Sequence, residues 1–356
     1  MSSPLDTFLF RMPKVELHVH LEGSMRPATL LALARRHNIE LPARDEAGLQ
    51  RWFRFRSFEH FVDVYLTCSQ ALVDAEDFRL LTLDFMAEMA RQNVLYAEAH
   101  FTIGTHLANG RDGEEVRQAL AEAVAEGERQ HYVRLRLVTD IVRNVPQMAD
   151  HTLEWALSGK GDLVAALGLS GFEAVFPSHP FREHFEYAAR QGLHRVAHAG
   201  EHAGPGSVRA ALEVCQAERI GHGVRSVEDP ELVAELARRA VPLEICPSSN
   251  VRLGVVPDLP SHPFDRLYRG GVPVTVNSDD PPFFDTTLTD EYRHLQQAFG
   301  YGAADLAGFS LTALRHCFLP DDEKAALEEE FLRQFDRLGR KLLGEPVLPA
   351  AAAAAG

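Results

Sequence analysis

Short apolar runs of the kind that form buried strands alternate along this chain with longer stretches whose apolar residues recur at helical spacing. The strand-type runs cover residues 14–20, 94–101, 133–141, 163–169, 195–199, 219–222, 241–246 and 272–278. Helical signals lie between them. Asp229 before Pro230 reads as an N-cap with proline at the first helical position, and Leu232, Val233, Leu236 and Ala237 continue the stripe. Ser207 precedes Val208, Ala211, Leu212 and Cys215 at i, i+3, i+4, i+7, which places a helix start there. Asp112 with Glu115 opens a third helix, continued by Val116, Leu120 and Val124. Eight such alternations predict an α/β chain folded as a (β/α)8 barrel, with a doubly wound open sheet as the alternative. A single barrel domain is expected over residues 1–345, followed by a flexible, Ala-rich tail over 346–356. The connection at 48–75 is long and carries Trp52, Phe53, Phe55, Phe58, Phe61 and Tyr65. Phe58, Phe61 and Tyr65 share one helical face. They form either a helix packed on the barrel or a lid over a flat apolar ring, with Phe58 and Phe61 against substrate.

The unusual polar residues fall at the ends of several strands, where barrel enzymes place their sites, and this favours the barrel. In residues 14–20, Val15, Leu17 and Val19 face one way while His18 and His20 share the opposite face. Two imidazoles at one strand end can hold a divalent ion. His198 ends another strand three residues before Glu201, and His222 stands between Gly221 and Gly223. Asp279 and Asp280 precede two prolines; adjacent buried carboxylates repel each other unless a cation or donors compensate. Each piece has an ordinary reading as a turn, loop or core residue. Their joint occurrence does not.

Charge and cysteine usage narrow the function classes. Lys plus Arg is 36 against 51 Asp plus Glu, a formal net charge of −15, so a phosphate backbone or an anionic membrane is repelled while a small neutral substrate is not. Cys68, Cys215, Cys246 and Cys317 are far apart and form no CxxC pair, which excludes a thiolate zinc site and fits a reducing compartment. The apolar stretch at 5–12 is broken by Asp6 and Arg11, and no run approaches the ~18 apolar residues of a membrane span. A cytoplasmic protein is expected.

Taken in order, Pro13 to Ser24, His198-Ala199-Gly200-Glu201, Arg219 to Gly223, Cys246-Pro247-Ser248-Ser249-Asn250 and Ser278-Asp279-Asp280-Pro281 resemble the adenosine deaminase family of the amidohydrolase superfamily. The cytidine-deaminase type, with its PCxxC cysteines, does not fit. The resemblance implies zinc (iron or manganese suit the same ligands) bound by His18, His20, His198 and Asp279, with an activated water oriented by His222. It implies that Glu201 protonates N1 of an adenine ring, that Asp280 bonds at N7 and that the Gly171 N–H meets N3. Burial is expected to raise the Glu201 pKa for that task. His20 and Glu22 would line the substrate site.

Two departures bear on the substrate. Residue 22 is Glu where enzymes acting on adenosine carry Asp, and Ser170-Gly171-Phe172-Glu173 differs from their Ala-Gly-Asp-Glu. Free-adenine deaminases carry Glu at that first position, whereas Phe284 to Tyr292 looks like the nucleoside-acting branch; Glu22, the 53–65 aromatic segment and Asp280-Pro281-Pro282-Phe283 together are similar to bacterial deaminases of the nucleoside 6-amino-6-deoxyfutalosine. The expected substrate is thus adenosine or aminodeoxyfutalosine, with adenine or an N6-modified adenine as the alternative. Another hydrolysis on this scaffold would call for a bridging lysine, and strands 133–141 and 163–169 contain none. A non-catalytic binding protein would show a damaged constellation, and every expected member is present.

Overall fold

The computed structural model describes residues 3–348, apart from the side chain of Phe58. Eight strands follow one another: β1 (Lys14–His20), β2 (Val94–Phe101), β3 (Arg134–Val142), β4 (Val164–Ser170), β5 (His194–Ala199), β6 (Arg219–His222), β7 (Leu243–Ile245) and β8 (Val274–Val276). They pair in sequence order, each parallel to the next. Closure between β8 and β1 is made at Asp279, which accepts from the His20 N–H at 2.8 Å and donates its own N–H to the His18 carbonyl at 3.1 Å. Just below, the Leu17 N–H donates to Asn277 Oδ1 at 2.9 Å. The arrangement is the (β/α)8 barrel that the alternation predicts.

Strands β7 and β8 are shorter than their apolar runs, because Pro242 and Pro273 lack the N–H a ladder needs. Their carbonyls still accept, from Ile220 and Leu243. Beyond β8, the Ser278 N–H goes to the Glu16 side chain of β1, at Oε1, and not to a strand carbonyl.

Helix Pro230–Arg238 starts as expected, with the Asp229 carboxylate accepting from the Glu231 and Leu232 N–H groups. Asp112 does the same for Glu114 and Glu115 in helix Gly113–His131. The expected start at Ser207 is wrong by two residues. That helix is Pro205–Val214, capped at Gly204, because proline at the first position is already set to a helical φ. Its buried stripe of Val208, Ala211 and Leu212 is as expected.

The aromatic connection forms two helices, Glu46–Phe53 and Phe58–Gln70, standing over the strand ends. Phe53 is fully buried and meets Phe283 edge-on at 4.9 Å. The region expected to be a flexible tail begins in packed structure. Val347 is buried where Gly339 has no side chain, and a β-carbon there would lie 2.7 Å from the Val347 nitrogen. Residues 349–356 lie outside the described residues.

Within the barrel, Val138, Ala166 and Val196 pack against Phe318. A layer of buried charge joins this floor to the site. Arg219 stacks its guanidinium on Phe318 at 3.7 Å and binds both Glu98 and Glu244. Among the described residues, all four cysteines are free and buried, and no helix is long and apolar enough to cross a membrane.

Candidate active site

The two-residue period of β1 carries His18 and His20 into the barrel mouth, where His198 from β5, His222 from β6 and Asp279 after β8 meet them. The ring-nitrogen donors of His18, His20 and His198 all lie within 4.8 Å of one another. His20 Nε2 is 3.3 Å from both His198 Nε2 and Asp279 Oδ1, and His18 Nε2 is 3.7 Å from the same carboxylate oxygen. His222 and Asp279 both hold left-handed backbone angles, at φ 61° and 65°. Such values are costly outside glycine and cluster at functional sites. Here they turn the side chains inward just past the last ladder bond.

These residues fit a divalent cation. His18 donates through Nδ1 to Glu244 Oε2 at 2.9 Å, and His198 through Nδ1 to the Leu169 carbonyl at 3.1 Å. Each ring therefore presents Nε2 as a lone pair to the centre, and His18 Nε2 is buried without a hydrogen-bond partner. Burial, with His100 adding to it, pushes His18 down to about 4, so the ring is neutral as a ligand must be. Burial alone would lower His20, but Asp280 and Asp279 push it up to about 10. A proton thus holds His20 to the carboxylates where a metal would replace it.

The tandem carboxylates resolve their repulsion by splitting. Burial would raise Asp279, but its hydrogen bond from His20 and the neighbouring His222 hold it far below the usual range. Burial and the Asp279 charge push Asp280 well above it. Its Oδ1 fits only because residue 23 is glycine; a β-carbon there would sit 1.6 Å away.

Glu201 corrects one expectation. Burial would raise it, but His222 and His202 beside it, the latter with Nδ1 3.0 Å from Oε2, hold it below the ordinary glutamate value. Glu201 is therefore ionised in the ligand-free protein. Its loop is fixed from behind: the Glu173 carboxylate accepts from the backbone N–H groups of Gly200, Glu201, His202 and Ala203.

A cavity of about 570 Å³ opens over this floor. His20, His198, Glu201, His222, Asp279 and Asp280 form its polar end, and Gly171 (φ 96°) exposes its backbone in the wall. Phe61, Tyr65, Leu66 and Val175 make the outer, apolar part. Phe61 stacks on Phe284 at 5.8 Å. Phe53 belongs to the core, while Phe61 and Tyr65 line the cavity. The side chain of Phe58 lies outside the described residues.

Glu22 does not reach the cavity. It is fully buried, and its Oε1 accepts from the Thr102 N–H at 2.9 Å, the Thr102 hydroxyl at 2.6 Å and His106 Nε2 at 3.1 Å. These three donors hold that oxygen, Oε2 is buried without a hydrogen-bond partner, and Glu22 is not among the residues that line the cavity. Sequence reasoning also missed Glu244 and Glu173. A lone glutamate between Leu243 and Ile245 was the available signal for the first; the second stood in a quoted motif without a role.

The adenosine deaminase family model matches residues 13–334. The chain belongs to the adenosine deaminase family. Among relatives, an adenine deaminase of Streptomyces coelicolor is 39% identical over 91% of this chain and 95% of its own. An aminodeoxyfutalosine deaminase from the same organism is 38% identical, over 92% and 85% respectively. A solved amidohydrolase from Burkholderia ambifaria with bound Zn superposes with a TM-score of 0.88 at 26% identity, covering 97% of this chain and 96% of its own. This member of the family is accordingly a metal-dependent aminohydrolase on a barrel scaffold, with a candidate His/Asp metal site at the strand ends.

Proposed function

We propose that the chain hydrolyses the 6-amino group of an adenine nucleoside carrying a bulky 9-substituent, adenosine or aminodeoxyfutalosine in type, to the 6-oxo product and ammonia. The observation that carries this reading is the cavity. Its volume of about 570 Å³ lies in the range of sites for drug-sized ligands, and its outer half is apolar, so it offers much more than a seat for a bare base. Glu22, held by Thr102 and His106, is not among the residues that line it. The lining holds no Lys or Arg among the described residues, which leaves the dianion of a nucleotide without a partner. Relatives named for adenine and for aminodeoxyfutalosine are about equally similar, so the geometry has to discriminate between them.

His18, His20, His198 and Asp279 would hold the ion, for which the zinc in the Burkholderia neighbour speaks. When bound it supplies a water of lowered pKa. The chain's own groups move the protons. Ionised Glu201 takes a proton from the water adding to C6 and passes it to N1. The second water proton then goes to the amino group, the C6–N bond breaks, and C6=O forms with N1 protonated. Asp280, buried beside them, bonds at N7, and the Gly171 N–H faces N3. The test is ammonia release from adenosine, 2′-deoxyadenosine, adenine and aminodeoxyfutalosine by the zinc-loaded enzyme. Turnover of the nucleosides well above adenine is expected; efficient use of adenine alone would overturn the reading.

A further inference from the structure

We infer that His262 and Asn250 are positioning residues that decide which ring nitrogen of His222 carries its proton, keeping an N–H aimed at Glu201 and Asp279. The inference rests on the proposed placement of the reaction around Glu201.

One group in this network has a polarity that cannot reverse. The backbone N–H of Phe264 donates to His262 Nδ1 at 3.1 Å, so that nitrogen is the acceptor. Burial, with His222 nearby, pushes His262 down to about 4, which leaves one ring proton, and it must sit on Nε2. Nε2 lies 3.1 Å from Asn250 Oδ1 and donates to it. The amide is thereby oriented, because the flipped form would set its NH2 group against an N–H. Asn250 Nδ2 then faces His222 Nδ1 at 3.2 Å and donates. With Nδ1 occupied as an acceptor, the ring proton of His222 is the one on Nε2.

That Nε2 stands 3.8 Å from Glu201 Oε2 and 3.9 Å from Asp279 Oδ2. An N–H there attracts both carboxylates and can hold the oxygen adding to C6. A lone pair would repel all three. His262, Asn250 and His222 are each at most 3% exposed, so bulk water does not relax the order. Sequence offered no route to this chain of bonds, since His262 is separated from Asn250 by a loop and carries no motif spacing.

The test uses zinc-loaded enzyme labelled with 15N-histidine, with the His222 resonances assigned by their loss in His222→Gln. Proton–nitrogen correlation spectra should show His222 protonated at Nε2. In Asn250→Asp, whose carboxylate can only accept, the proton should move to Nδ1, with zinc content unchanged and kcat down roughly 10³-fold or more, the scale of a wrong-tautomer histidine. His262→Phe, which frees the amide to flip, should lower kcat about 10–100-fold with KM little altered. His262→Gln, which keeps a donor toward Asn250, should recover most of that loss. A wild-type ring protonated at Nδ1 overturns the inference, as does an Asn250→Asp ring still protonated only at Nε2. So does wild-type kcat in His262→Phe. The spectra are read without substrate, so a failure of the deamination reading would show in the turnover arms and leave the tautomer result standing.

Discussion

Glu201 is held ionised against the pull of burial, and this sets its first task as taking a proton, not giving one. Glu201→Gln can neither accept nor relay it. Turnover should fall at least ~10²–10⁴-fold, with zinc retained by elemental analysis; near-normal kcat would remove Glu201 from the proton path. Glu244 acts one bond further out. Although burial would raise it, the Arg219 guanidinium and the His18 hydrogen bond hold it at about 2, so it stays a carboxylate and keeps His18 presenting Nε2. Glu244→Gln should weaken metal affinity about 10–100-fold in a chelator competition while leaving Glu201 in place. The two residues differ in legibility for a physical reason. Glu201 follows a strand-end histidine at a fixed offset, and His18 with His20 declares a shared face through the two-residue period. Glu244 sits in a three-residue strand, too short for any periodicity, and its partners Arg219 and His18 come from other strands. Glu22 stood in a recognisable motif, but its direction depends on Thr102 and His106, some 80 residues away.

At the scale of elements, the site is held by what surrounds the strand ends. The Glu173 carboxylate serves four successive N–H groups of the Glu201 loop, standing in for the carbonyls that a helix or strand would provide. Glu173→Ala strips that acceptor. Hydrogen exchange at residues 200–203 should speed up and kcat should fall, with the metal still bound; unchanged exchange would show that the loop holds itself. The helix Phe58–Gln70 supplies the outer wall through Phe61 and Tyr65. Phe61→Ala should raise KM for the nucleosides more than for adenine, and a loss confined to thermal stability would return Phe61 to the core. Element types were readable from apolar spacing nearly throughout. Ends were less so wherever proline or glycine intervened, as at Pro205, Pro242 and Pro273, because spacing marks the buried face and backbone chemistry marks the limit.

For the molecule as a whole, burial raises the pKa of carboxyls far from the metal ligands as well. Glu291, fully buried on the Ser248 N–H and the Thr286 hydroxyl, is pushed up by burial to about 7. Its folded pKa exceeds the unfolded value, so between about 4.5 and 7 the native state binds more protons than the unfolded one. The stability it contributes is complete below about 4.5 and is lost as pH rises through 7. Glu291→Gln should remove that slope; the difference between wild-type and variant unfolding free energies should grow toward alkaline pH in favour of the variant. A constant difference would place the Glu291 pKa at its ordinary value. The order of the barrel was legible from alternation, but its closure was not, since the β8–β1 contact depends on a left-handed Asp279 that no apolar pattern announces.

That closure has a mechanical meaning. One residue, Asp279, stitches the last strand to the first through its backbone and meets His18 and His20 through its side chain. An ion held by those three would span the same seam, which already joins positions as distant as Leu17 and Asn277, 260 apart. Loop-closure entropy makes such a distant junction the slow, late event of folding. The residue that completes the cylinder also faces the site, so the geometry of the centre depends on the seam between the first strand and the last.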